Sequence, residues 1–166
     1  MSDQKFYIPD KEAGKLSVVL IQPDIPQNTG NIARLCRATG SELVLVRPFG
    51  FRLTDQGLQR AGMDYWKELN PIILEDVDEF FKWAEKKNVY FLSCHGDNLY
   101  TEVKYKAGDA LVFGSESSGL PKEVLEWAKK RNAIVTLPMI KEARCINVSS
   151  SVAAAVYEAL RHIYRW

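Results

Sequence analysis

Three stretches of this chain carry side chains that could do chemistry on a polar ligand. The first is Asn28-Thr-Gly-Asn31, followed by Arg34 and Arg37. Arginines three apart share one face of a helix. A guanidinium fork suits a phosphate or a developing oxyanion. Between residues 28 and 60, Arg34, Arg37, Arg47, Arg52 and Arg60 outnumber Glu42 and Asp55 by three charges. That excess fits a polyanionic partner, and it equally fits a solvated basic face. The second stretch is Phe113-Gly-Ser-Glu-Ser-Ser-Gly-Leu-Pro121. Gly114 and Gly119 frame a turn where backbone could come close to a ligand, with Glu116 at its head. The alternative is that Glu116 caps the helix that follows. The third runs from Leu137 to Ser150 and opens onto a helix N-terminus, a place suited to polar ligands. Asn147 and the serines behind it can cap that helix, which does not exclude ligand contact. Cys145 lies in this loop with neither histidine near it in sequence. A nucleophilic cysteine needs an activating base, so Cys145 reads as a wall residue.

Each stretch follows a short, continuous apolar run of the kind found in strands buried on both faces. These runs are Leu16–Gln22, Ala110–Phe113 and Ala133–Leu137, with further strands at 43–46 and 89–93. Helices are expected from about Asn28 or Thr29 to Thr39 with Gly40 as stop, over Asp76–Lys87, and over Pro121–Lys130. Residues 49–71, punctuated by Gly50, Gly57, Gly62 and Pro71, read as irregular. The final helix is the clearest. Val152, Ala155, Val156, Ala159, Leu160 and Ile163 form one apolar stripe, and Ser149, Ser150 and Ser151 offer caps. Strands alternating with helices predict an α/β fold with a mostly parallel sheet flanked by helices. In such sheets ligands bind beyond the carboxyl ends of the strands, where all three stretches fall. Phe49, Phe51, Tyr65 and Trp66 interleave with the arginines, as an RNA-stacking surface would. Core packing is the other use for such rings. Cys36 is expected in the core.

Composition narrows the classes. The chain has 166 residues, 46% hydrophobic and 26% charged, with a formal net charge of +1. One domain over 16–166 with a polar N-terminal tail over 1–15 fits that length. Bulk charge cannot attract nucleic acid, so a local patch must. No apolar run reaches the length of a membrane span, and the N-terminal residues lack the hydrophobic region of a secretory signal. The three cysteines form no CxxC pair and there are two histidines, so neither a disulfide framework nor a metal site is expected. A cytoplasmic protein is expected. The glycine loop is neither a Walker A loop nor a dinucleotide fingerprint, which disfavours P-loop proteins and nucleotide-dependent dehydrogenases.

In this order, the motifs resemble the SPOUT superfamily of RNA methyltransferases. Within it they are similar to the small tRNA wobble-nucleotide 2′-O-methyltransferases of the TrmL type. The residues carrying the likeness are Pro26-Gln-Asn-Thr-Gly-Asn-Ile-Ala-Arg-Leu-Cys36, Phe49-Gly-Phe51, Arg60-Ala-Gly-Met-Asp-Tyr65, Phe113–Pro121, Leu137-Pro-Met139, Arg144-Cys-Ile-Asn-Val-Ser149 and Val156-Tyr-Glu-Ala159. The resemblance implies a trefoil-knotted fold, a homodimer packed through the first and last helices, and S-adenosyl-L-methionine as cofactor. It implies cofactor contacts at Leu92, Gly114, Leu137 and Cys145. It casts Arg34 as the catalytic arginine, with Asn28 orienting Arg34 or the ribose. Glu116 and Asn147 would shape the pocket, and Glu116 is a candidate proton acceptor. The implied substrate is the wobble cytidine or modified uridine of a tRNA anticodon loop, gripped through Arg37, Arg52, Arg60 and Arg144. This chain has Cys145 where the family usually has Ser, and Ser150 where it has Asn. Alternatives are action on another tRNA or rRNA site, or a non-catalytic RNA-binding module of the same fold.

Overall fold

A computed structural model describes residues 6–9, 15–54, 56, 60 and 65–166. Seven strands form one sheet, and every pairing in it is parallel. They are β1 (Ser17–Ile21), β2 (Glu42–Val46), β3 (Ile72–Leu74), β4 (Val89–Leu92), β5 (Asn98–Leu99), β6 (Ala110–Phe113) and β7 (Ile134–Thr136), in the spatial order β3-β2-β1-β6-β4-β7-β5. The helices are α1 (Pro26–Thr39), α2 (Trp66–Leu69), α3 (Val77–Ala84), α4 (Lys122–Lys130) and α5 (Val148–Tyr164).

Alternation along the strands explains the layers. Val18 and Leu20 point to one face, with Ile32, Ala33 and Cys36 of α1 and Val152, Ala155, Val156 and Leu160 of α5. Val19 and Ile21 point to the other, with Phe80 and Ala84 of α3 and Val124 and Ala128 of α4. Both faces are therefore dry, as continuous apolar strands require. Cys36 is buried as expected, and burial pushes its thiol up to about 12. It packs as a small apolar group.

Several boundaries differ from the sequence reading. α1 begins at Pro26, with Ile25 as its N-cap. Asn28 and Thr29 lie inside the helix and are buried, because their side chains serve tertiary contacts and not a cap. Gly40 ends α1 in the left-handed region, as expected. The 72–74 strand was not foreseen: three half-buried residues at a sheet edge carry too little pattern. The same holds for the two-residue β5. The expected 76–87 helix is shorter, since Asp76 caps it by accepting from the Glu79 amide and it closes at Ala84. Pro121 is the N-cap residue of α4 and not its first helical residue. The last helix is capped by Asn147, whose side chain accepts from the Ser149 amide, so the serines lie in its first turn. In the N-terminal segment, Ile8 packs against the α1–α5 side of the core, and the Tyr164 hydroxyl donates to the Pro9 carbonyl. Residues 61–64 of the Arg60–Tyr65 motif lie outside the described residues.

Candidate active site

Because the sheet is parallel, every strand delivers its following loop to the same edge. β1, β6, β4 and β7 are consecutive neighbours there. Residues at or next to their carboxyl ends are in register: Leu20 pairs with Phe113, Phe113 with Leu92, and Leu92 with Val135. The loops after them enclose a cavity of about 550 Å³. Leu92, Leu120, Leu125, Leu137 and Val148 give it apolar walls, and Ser115, Glu116, Asn28 and Asn147 give it a few polar groups. That volume and that mixture suit a small organic ligand or cofactor.

One carboxylate ties the walls together. Glu116 accepts from the Asp24 amide at 2.7 Å, the Ile25 amide at 3.3 Å and the Asn28 side-chain amide at 3.1 Å. Its two backbone donors sit in the turn just before α1, so Glu116 braces that turn and does not cap the α4 helix that follows it. A carboxylate at a helix N-terminus also meets the favourable end of the dipole. Asn28 passes the link on, since its side-chain oxygen accepts from Asn147 at 3.2 Å. Asn147 in turn accepts from the Ser149 amide at 2.9 Å and from its hydroxyl. So Glu116 in the loop after β6, Asn28 on α1 and Asn147 before α5 form one hydrogen-bonded chain of three side chains. Asp24, in the loop after β1 and not singled out by the sequence reading, fastens this chain from outside by accepting from the Ser117 amide and hydroxyl. Its place between two prolines, Pro23 and Pro26, was the available signal.

The glycine turn is closed by backbone bonds and by the Ser115 hydroxyl, which accepts from the Ser118 amide at 3.1 Å. The Ser115 amide donates to the Gly119 carbonyl at 3.1 Å, and the Gly119 amide donates back to Ser115 at 2.9 Å. A Cβ on Gly114 would run into the Gly119 carbonyl carbon and the Leu120 nitrogen. Gly119 adopts φ +69°, which favours glycine.

All four expected cofactor contacts, Leu92, Gly114, Leu137 and Cys145, line this one cavity, as do Asn28, Glu116 and Asn147. His95 and Cys94 line it too. Arg34 does not. It is exposed on α1, with its guanidinium 5.8 Å from the centre of the Tyr65 ring. Arg37, one turn on, pairs with Glu68 at 2.8 Å. Two arginines three apart thus meet two residues three apart on the 65–69 segment. The expected orienting bond from Asn28 to Arg34 is replaced by the bonds to Glu116 and Asn147. Arg52, Arg60 and Arg144 are exposed, and Arg60 donates to Gln56 at 3.4 Å. Among the described residues no group of three or more His, Cys, Asp or Glu side chains could hold a metal ion. No helix of the described residues is long and apolar enough to cross a membrane.

An open, all-parallel α/β sheet with a cofactor-sized cavity built at the carboxyl ends of four adjacent strands defines the class. Residues 15–157 match the SpoU rRNA Methylase family, and the chain belongs to it. A Saccharophagus degradans protein named tRNA (cytidine(34)-2'-O)-methyltransferase is 40% identical over 147 residues, covering 89% of this chain and 95% of that one. A solved structure described as "Structural insights into the 2-OH methylation of C/U34 on tRNA" superposes with a TM-score of 0.85 at 38% identity, over 92% of this chain and 99% of that one. The Streptomyces viridochromogenes SpoU methyltransferase AviRb, solved in complex with AdoMet, shares the fold at a TM-score of 0.78 and 23% identity, over 97% of this chain and 62% of that one.

Proposed function

We propose that this protein methylates the ribose 2′-oxygen of the wobble nucleotide, cytidine or modified uridine, in the anticodon loop of tRNA. The observation that carries the reading is the gathering of seven separately expected residues into one cavity. The relatives described above supply the substrate. The cavity fits S-adenosyl-L-methionine: apolar walls at Leu92 and Leu137 suit a flat ring, and Gly114 allows the tight 114–120 turn that forms one wall. When bound, that cofactor supplies an electrophilic methyl group on a sulfonium.

The chain's own residues then have to align, exclude water and steady charge. Proximity alone can supply about 7–11 kcal/mol. Leu92 and Leu137 supply apolar walls against the ligand. The chain of Glu116, Asn28 and Asn147 ties the elements around the cavity together, so no loop needs reordering when ligand enters. Glu116 is a clamp in this reading, taking three donors, and a carboxylate with about four lone-pair sites keeps room to serve as the proton acceptor. Arg34 is assigned to the phosphate and to the negative charge growing on the ribose oxygen. It does not serve as a base, since a guanidinium gives up no proton at neutral pH. Arg37, Arg52, Arg60 and Arg144 are assigned to the phosphate backbone. We take residues 16–166 as the catalytic unit, knotted as in SPOUT proteins and working in the cytoplasm. It dimerises through α1 and α5, where Tyr157 is 49% exposed beside half-buried Ala153 and Ala154.

The test is methyl transfer in vitro. Purified protein, S-adenosylmethionine and unmodified tRNA are incubated, and nucleosides are mapped by mass spectrometry. A 2′-O-methyl group at the wobble position is expected. Methylation elsewhere overturns the site, and cofactor binding without any transfer overturns the activity.

A further inference from the structure

We propose that Phe51 is a stacking shelf for a nucleobase of the bound RNA, next to the ribose that is modified. The inference rests on the RNA methyltransferase reading and adds a base-binding site to it. Four aromatic rings sit among the arginines, and the structure separates them. Phe49 and Trp66 pack against the α1–α5 side of the core. Tyr65 faces the Arg34 guanidinium. Among the described residues, Phe51, like Tyr65, belongs to neither core cluster nor to the residues packed against them. Its ring lies on that of Phe49, 5.7 Å between centres and 16° from parallel. Phe49 is itself backed by the Arg47 guanidinium at 4.9 Å. A flat, half-buried ring is thus supported from beneath, and among the described residues it joins neither core cluster.

Its position is fixed relative to the cavity. The Gly50 amide donates to the Pro23 carbonyl at 2.9 Å, and a Cβ on Gly50 would come within 2.8 Å of the Asp24 Cα. The aromatic turn is therefore pressed onto the loop after β1. Asp24 in that loop donates its amide to Glu116 in the cavity wall. Two contacts connect the shelf to the site of chemistry. Exposed Arg52 stands beside it for a phosphate. Anticodon-loop bases can be unstacked and laid on such a ring. A base–aromatic stack corresponds to roughly tenfold or more in affinity.

The experiment uses an anticodon stem-loop carrying 2-aminopurine on either side of the wobble nucleotide, with wild-type protein, Phe51→Leu and Phe51→Trp. Leu keeps apolar cover over Phe49, and Trp keeps an aromatic face. Wild type and Phe51→Trp should quench one of the two fluorophores. Phe51→Leu should lose that quenching and raise KM for the stem-loop about tenfold, with the loss on KM and not kcat, and with S-adenosylmethionine affinity retained. Absence of quenching with wild type overturns the shelf, whatever the folding of the variants. So does a Leu variant that quenches like wild type, or a Trp variant as weak as Leu. Quenching by wild-type protein that leaves the ribose unmethylated keeps the shelf and removes the catalytic reading. Methylation that is indifferent to Phe51 does the reverse.

Discussion

The cavity loops and the arginine surface are built on different physics. Around the cavity, Glu116, Asn28, Asn147, Asp24 and Ser117 each hold at least one partner from another loop. Across the arginine surface, Arg52 and Arg144 are exposed, and Arg37 is held by one exposed carboxylate. A small ligand of fixed shape gains most from a site that is already assembled. A flexible polyanion needs only cations within reach, because charge acts over several ångströms and tolerates imprecise placement. The two regions should therefore fail differently when altered.

The largest effect is expected at Arg34, which belongs to the arginine surface by position and to the chemistry by assignment. Arg34→Ala should lower kcat by about 10²–10³-fold, the range for losing one group that stabilises a developing charge. Calorimetry should show S-adenosylmethionine binding unchanged. Unimpaired turnover would return Arg34 to the solvated face. Gly114→Ala comes next, since its methyl group has no space between Gly114 and the Gly119–Leu120 peptide. A loss of about 1–3 kcal/mol in a denaturant melt is expected, together with loss of cofactor binding. Glu116→Gln places an amide among the donors of Asp24, Ile25 and Asn28. It should cost about 1.5–3 kcal/mol, read as a lowered melting temperature and weaker cofactor binding. If cofactor affinity is untouched, the Glu116–Asn28–Asn147 chain is not what shapes the cavity.

The arginine surface should respond more gently and in a different readout. Arg52→Ala and Arg144→Ala should each reduce the salt slope of tRNA binding by about one, with cofactor affinity unchanged. A salt-independent affinity would remove phosphate contacts from the account. Arg37→Ala should change stability by less than about 1 kcal/mol, because its pair with Glu68 is exposed. A larger loss would mean that α2 is anchored by that pair.

Much of the fold could be read from the chain, and the reasons are local. β1 and β6 announce themselves as apolar runs, and α5 as a stripe at helical spacing. β3 and β5 do not, because two or three residues at an edge carry no period. The identities of the cavity residues were also legible, since the loops that hold them follow recognisable strands. Their roles were less so. Glu116 looked like a cap for the next helix, yet it braces the turn before α1 and bonds Asn28, 88 residues away along the chain.

Residue types and their order determined that this chain is α/β, that its strands are buried on both faces, and that Asn28, Glu116 and Asn147 matter. Apolar period and turn chemistry act over a few residues and can be read in one dimension. Only the tertiary structure decided that Asn28 bonds to both Glu116 and Asn147, that Arg34 faces Tyr65 outside the cavity, and that Phe49 and Trp66 pack on the core while Phe51 stacks on Phe49. These are outcomes of strand order, which places β6 between β1 and β4. That order is set by the packing of the whole sheet, and no local stretch of sequence encodes it.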